Sequence, residues 1–251
     1  MSTSVASAAD ALVAARAKFG AAQALPARLG LVDALLGLAG AQLSSGDPAA
    51  AELVLGDIRE HLEHGVRTDP DWQLRASAAS RLSIAIAQLL GRHDEAVAQL
   101  DTNLRSVSGT GPEADAARLS LLTARLQSHL ALGQATRAGE TLAAARQVVA
   151  RMTRTIPARP ASVLAATLLL QQASVAMLRN APAEAEAAFA EALALVDRLG
   201  GSDLGELRRR IIRSWTSALK AQGRTAEATA LVGRTLLATP AGGAPPGPFA
   251  P

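Results

Sequence analysis

The sequence predicts an all-α fold, a solenoid of about five antiparallel helical hairpins. Three observations predict it. Hydrophobic residues make up 49% of the 251-residue chain, yet aromatics are only 2%, so any core must be built from Ala, Leu, Val and Ile. Residues that favour strands are scarce beside Ala and Leu. A three-point pattern also recurs five times at nearly constant spacing.

The recurring segments are Gly46-Asp-Pro-Ala-Ala-Ala51, Gly91-Arg-His-Asp-Glu-Ala96, Gly133-Gln-Ala-Thr-Arg-Ala138, Asn180-Ala-Pro-Ala-Glu-Ala185 and Gly223-Arg-Thr-Ala-Glu-Ala228. Each begins with Gly or Asn, carries Ala five residues later, and places a large apolar residue nine residues after the start: Leu55, Leu100, Leu142, Phe189 and Val232. The starts are 45, 42, 47 and 43 residues apart. Gly and Asn tolerate the left-handed conformation that ends a helix. A small Ala at the first inward turn of the next helix lets the pair approach closely, and the large residue one turn on fills the space between them.

Start signals place the helices at 5–19, 26–44, 48–64, 71–90, 93–106, 112–132, 135–155, 160–179, 182–199, 203–221 and 225–238. Pro26, Pro48, Pro70, Pro112, Pro160 and Pro182 fall at first turns, where the missing N–H costs nothing. Asp47, Asp69, Asn180 and Ser202 are candidate N-caps. Residues 1–23 read as an N-terminal capping helix or the remnant of another hairpin, 24–238 as the repeat domain, and 239–251 as a flexible Pro/Gly-rich tail.

The segments beginning Gly91-Arg-His-Asp-Glu-Ala-Val-Ala-Gln-Leu and Ala183-Glu-Ala-Glu-Ala-Ala-Phe-Ala-Glu-Ala-Leu resemble the inter-helix turn and second helix of the tetratricopeptide-repeat family. The resemblance covers roughly residues 24–238 and implies a right-handed α-solenoid. The period here is about 44 residues against roughly 34 in that family, which implies longer helices or wider connections. The family's first-helix Trp and Tyr positions are largely filled by small residues. The resemblance implies a concave groove onto which Arg81, Gln88, Thr123, Gln127, Arg210, Arg213 and Lys220 map. An extended or helical peptide bearing carboxylates would suit it, with Met177 giving apolar contact.

Charge narrows the choice of partner. The sequence pI is about 10.4 but the net charge is only +3. With no Tyr, no Cys and two Lys, little titrates between neutrality and the Arg range. The charge falls in blocks: net −3 over 1–140, +5 over 141–183, −5 over 184–206 and +6 over 207–251. Solvated faces and pairing between neighbouring helices are the favoured reading. Head-to-tail self-association or an acidic partner is the rival. The sharpest cluster is Leu207-Arg-Arg-Arg-Ile-Ile-Arg213, in which Arg210 and Arg213 share a helix face. It lacks interleaved aromatics, and no helix-turn-helix stands out, so nucleic acid is not an expected partner.

Other motifs carry less. The absence of Cys rules out disulfides and thiol catalysis. His61 and His64 lack a third ligand, so no metal is expected. His93 and His129 have no triad partners. Gly109-Thr-Gly111-Pro precedes a helix like a phosphate loop but lacks the Lys-Ser/Thr and the strand, and reads as a link between repeats. Trp72 and Trp215 read as packing between repeats. The uncharged run Pro160–Leu178 has the length of a membrane span but fits the repeat better. With no targeting signal evident, a cytoplasmic protein is expected. The functional expectation is a non-enzymatic interaction scaffold that needs no cofactor. The alternative is a sensory domain of a bacterial regulatory system, binding a peptide effector or acting through a partner.

Overall fold

The computed structural model describes residues 5–22, 25–63 and 69–237. Among these the chain forms eleven α-helices and no strand: α1 (Val5–Ala22), α2 (Leu25–Ser44), α3 (Pro48–Glu63), α4 (Pro70–Leu89), α5 (His93–Ser106), α6 (Pro112–Ala131), α7 (Ala135–Met152), α8 (Ala158–Leu178), α9 (Pro182–Leu199), α10 (Gly205–Ala221) and α11 (Thr225–Leu237). A single 3-10 turn, Ser202–Leu204, leads into α10. Number and order match the sequence reading. The long period has a simple origin: α2, α4, α6 and α8 run 20 or 21 residues each. The tail 239–251 and His64 lie outside the described residues.

The five turns behave alike. Gly46, Gly91, Gly133, Asn180 and Gly223 all have φ between +57° and +84°. In four of them the next residue's N–H reaches back to a carbonyl five residues earlier: Asp47 to Gln42, Arg92 to Ala87, Ala181 to Ala176, and Arg224 to Leu219. The turn residue itself donates three residues back, to Leu43, Gln88, Met177 and Lys220 respectively. This is the Schellman arrangement, which satisfies the last carbonyls of the first helix. The Ala five residues on then donates to the carbonyl of the residue after the turn in all five hairpins. Ala51, Ala96, Ala138, Ala185 and Ala228 are all 0% exposed. Leu55, Leu100, Leu142 and Phe189 are buried too, while Val232 is half-buried.

The N-cap expectations divide. Asp47 Oδ1 accepts from the Ala50 N–H, and Asp69 Oδ1 accepts from Asp71 and Trp72. Asn180 does not cap α9. At φ +57° it terminates α8, and the residue in the capping position is Ala181, which has no side-chain acceptor. Ser202 does not cap α10 either, because the 3-10 turn intervenes before that helix begins at Gly205.

The chain divides into two compact units, Met1–Ser108 with Gln127–Leu132 and Gly109–Leu126 with Gly133–Pro251. In the first, Leu31, Val32 and Leu35 of α2 pack with Leu55 and Ile58 of α3 and Ile86 of α4. Helix α1 closes this core with Ala8 and Leu12. The Trp72 indole N–H donates to the Leu62 carbonyl at 3.2 Å, tying the first turn of α4 to the end of α3. In the second, Ala166, Leu170 and Ala173 of α8 meet Ala185, Phe189 and Ala192 of α9, and Ile211 of α10. Phe189 stacks on Trp215 with centroids 6.0 Å apart and planes 12° from parallel. Both tryptophans thus join consecutive hairpins. Helix α8 is long and apolar enough to cross a membrane by length and composition. In this unit its apolar side chains pack against α9 and α10.

Two substitutions test the seam. Gly91→Ala meets no atom within 4 Å, so only the positive φ opposes it. It should cost about 1–2 kcal/mol in urea unfolding, and Gly91→Asn should cost less, since Asn already serves at position 180. Phe189→Ala removes the filler of the α8–α9 seam and should cost about 3–5 kcal/mol in the same measurement.

Candidate functional site

Helix α10 is the most clearly two-faced element in the second unit. Ile211, Ala218 and Leu219 are buried, and Trp215 is half-buried on the same side. Arg210, Arg213, Ser217 and Lys220 recur at helical spacing on the opposite side and are all exposed. The arginine run does not act as a block. Arg208 Nε donates to Asp197 Oδ1 of α9 at 2.7 Å, and Arg209 is bound to Glu206 at 2.7 Å. Arg210 and Lys220 have no hydrogen bond or ion pair among the described residues. Arg213 adds a weaker pull on Glu206, whose carboxyl is held below its ordinary value chiefly by the hydrogen bond from Arg209.

The other expected groove residues have different surroundings. In the second unit, Met177 is half-buried and its Sδ accepts from Gln222 Nε2 at 3.8 Å. It therefore packs the end of α8 to the turn after α10. Thr123 is half-buried and its hydroxyl donates to the Leu119 carbonyl one turn back on α6. In the first unit, Arg81 is exposed on α4 with no ion pair among the described residues. Gln88 is half-buried and donates to Ser128 Oγ at 2.9 Å, a structural tie between α4 and the end of α6. Gln127 is half-buried and bonded within the protein. Of the eight, Arg210, Arg213 and Lys220 share one helix face, and they are the ones most available to a partner.

The charge blocks largely resolve into pairs between consecutive helices. Arg159 Nη1 and Nη2 donate to the Leu199 and Gly200 carbonyls at 2.9 Å, and Nη2 reaches Asp203 Oδ1 at 2.8 Å. One guanidinium thus closes the C-terminus of α9 and holds the turn before α10. Gly201 beside it has φ +100°, a backbone conformation that favours Gly, and a Cβ there would lie 2.4 Å from Asp203 Oδ1 and 2.7 Å from that guanidinium. Arg224 binds both Glu227 and Glu186, which raise its pKa, Glu227 contributing most.

Two pair types repeat with the hairpins. Arg92 and Arg224, each directly after a turn Gly, bind Glu52 and Glu186, each six residues after the preceding turn residue. Arg59 and Arg146, thirteen residues after Gly46 and Gly133, donate to Ser83 and Gln172, eight residues before Gly91 and Asn180. Sequence reasoning missed these pairs. The signal was present as an arginine placed constantly relative to the turns, its partner 40 or 38 residues away in the first type and 24 or 26 in the second.

The His61 ring packs edge-on to Phe19, with centroids 5.7 Å apart, and the Arg28 guanidinium lies over the same ring. Among the described residues no three His, Asp or Glu side chains are grouped to hold a metal.

No protein-family model matches the chain, and no curated protein does. Among solved structures, BtubC (BKLC) from P. vanneervenii is similar. It has a TM-score of 0.63 and 18% identity over 98% of this chain and 94% of that one. A likeness at that identity is one of fold.

Charge reversal separates the paired arginines from the available ones. Arg208→Glu should lower Tm, because it sets two carboxylates side by side at Asp197. Arg210→Glu should leave Tm within about a degree of the parent, as an exposed substitution away from any contact does. Asp115 gives the pH test. Its carboxyl is held below the ordinary value mainly by the hydrogen bond from Arg151. A depressed folded-state pKa contributes stability that is present above the ordinary carboxyl range and fades as pH falls through it. Asp115→Asn should therefore be less stable than the parent at pH 7, and the gap should shrink in melts at pH 3.

Proposed function

We propose that the chain is a non-enzymatic, cytoplasmic interaction scaffold. Its hairpins stack as a right-handed solenoid of the tetratricopeptide-like kind, and the face offered by its first helices docks an acidic peptide or partner helix. Three things support the stacking: the five equivalent turns, the repeated pairs between consecutive hairpins, and the likeness of fold to BtubC. The observation that carries the docking role is the exposed row of Arg210, Arg213 and Lys220. Folding leaves these three available while it pairs Arg208 and Arg209 beside them. Guanidinium groups suit carboxylates because their donors form a rigid fork. An amphipathic acidic segment would place carboxylates at matching helical spacing.

The test is a binding measurement with the full chain. A fluorescent helical peptide with Glu at three- and four-residue spacing serves as probe, titrated at low and physiological salt. Arg210→Glu with Arg213→Glu should weaken binding by about tenfold or more, and added salt should weaken parent binding. Equal affinity of parent and double variant, with both folded by circular dichroism, rejects this face. Arg81→Glu, made separately, reports whether the first unit takes part.

A further inference from the structure

A second site lies at the base of the third hairpin, away from the α10 face. The loop before α6, the first turns of α6, and the end of α7 with the turn that follows it line an open cavity of about 610 Å³ within the second unit. Three guanidinium groups line it, from Arg118, Arg151 and Arg154, with Asp115, Thr110 and Thr155. Asp115 is 8% exposed and is the cavity's one acid; Glu113 is exposed and outside the lining. Arg151 grips Asp115 through Nη2 at 2.7 Å and Nε at 3.3 Å. Arg118 sits 3.6 Å from the same carboxylate, and its Nη2 donates to the Gly109 carbonyl at 2.7 Å. Those two arginines are therefore fixed in place. The Arg154 side chain has no hydrogen bond or ion pair among the described residues.

We infer that this arginine-lined cavity binds a phosphate monoester. Three cations against one carboxylate leave the wall two charges positive, the complement of a dianion. Guanidinium groups are the side chains best shaped for phosphate oxygens, since their donors lie in a plane and bond in pairs. Asp115 does not compete for the ligand, because its role is to orient Arg151 and Arg118. Arg154 supplies the free fork, and the exposed Thr110 and Thr155 stand at the rim. The volume is that of a pocket for a small ligand or one modified side chain. The Gly109-Thr-Gly111-Pro segment borders this cavity. It lacks the lysine of a phosphate loop, and the cations come instead from α6, the end of α7 and the turn after it. The phosphate could belong to a phosphorylated side chain of a partner or to a small phosphorylated compound; the recognition chemistry is the same.

The experiment uses the full chain at constant ionic strength, with chloride as control. Inorganic phosphate, phosphoserine and a peptide with one phosphoserine are titrated by calorimetry, with the unphosphorylated peptide alongside. Saturable binding of phosphoserine is expected. Arg154→Ala should weaken it by about tenfold or more, the loss of a charge-assisted hydrogen bond, while Arg210→Ala should leave it unchanged. Amide NMR shifts on the parent should move at Thr110, Gly111 and Thr155, which keeps the test valid if the alanine variant does not fold. Tighter binding of the phosphopeptide than of phosphoserine identifies a phosphorylated partner, and equal binding identifies a small compound. Phosphoserine no better than chloride, unchanged affinity in Arg154→Ala, or shifts confined to other residues would each overturn the inference.

Discussion

The structure depends on one constraint at the reversal of each hairpin. A residue in the left-handed conformation closes the first helix, and five residues later a side chain no larger than a methyl group is fully buried. The two parts are coupled. In four of the five, the Schellman turn satisfies the last carbonyls of the first helix and sets the direction of the second. The buried Ala then makes the first hydrogen bond of that second helix and allows the two backbones to approach. A larger residue there would force the helices apart and loosen the contact made by Leu55 or Phe189 one turn further on. This is why a chain with so few aromatics can bury a core. Close approach of helices replaces bulky side chains as the means of filling space.

Polar contacts form a second layer over that apolar seam. Most of the ion pairs are exposed at one or both ends, and exposed pairs contribute little stability individually. Their placement is more informative than their strength. Glu52–Arg92 and Glu186–Arg224 join the second helix of one hairpin to the turn of the next, and Arg59–Ser83 and Arg146–Gln172 join equivalent helices. Each favours one register between neighbours. The pairing also uses up much of the charge that the blocks in the sequence suggested. The charge left available includes the Arg210–Lys220 face of α10 and the cavity where Arg154 stands beside a fixed Asp115–Arg151 pair.

Local chemistry explains what could be read without coordinates. Left-handed conformations belong to Gly and Asn, first turns accept Pro, and a buried inward position at a close seam demands Ala. All of these act within about ten residues, so the number of helices, their order, their turns and the inward positions were legible in the sequence. The same locality explains the two errors. Asn180 and Ser202 both suit an N-cap by residue type. Only the backbone conformation decides whether Asn ends the helix behind it or caps the one ahead, and a 3-10 turn displaced the start of α10.

Tertiary structure alone decided which arginines would be consumed. Arg208, Arg209 and Arg210 are adjacent and chemically identical, yet helical rotation sends one to Asp197 of α9, one to Glu206 in the same helix, and leaves one to solvent. Likewise Gln88 has the residue type of a groove ligand but lies against Ser128, 40 residues away. Asp115 and Arg151, 36 residues apart in sequence, meet where the start of α6 lies beside the end of α7. The sequence by itself determined the helices and the faces they bury, because those follow from periodicity. Which charges pair and which remain free depended on how neighbouring helices are set against one another, a property of packing that no single segment carries.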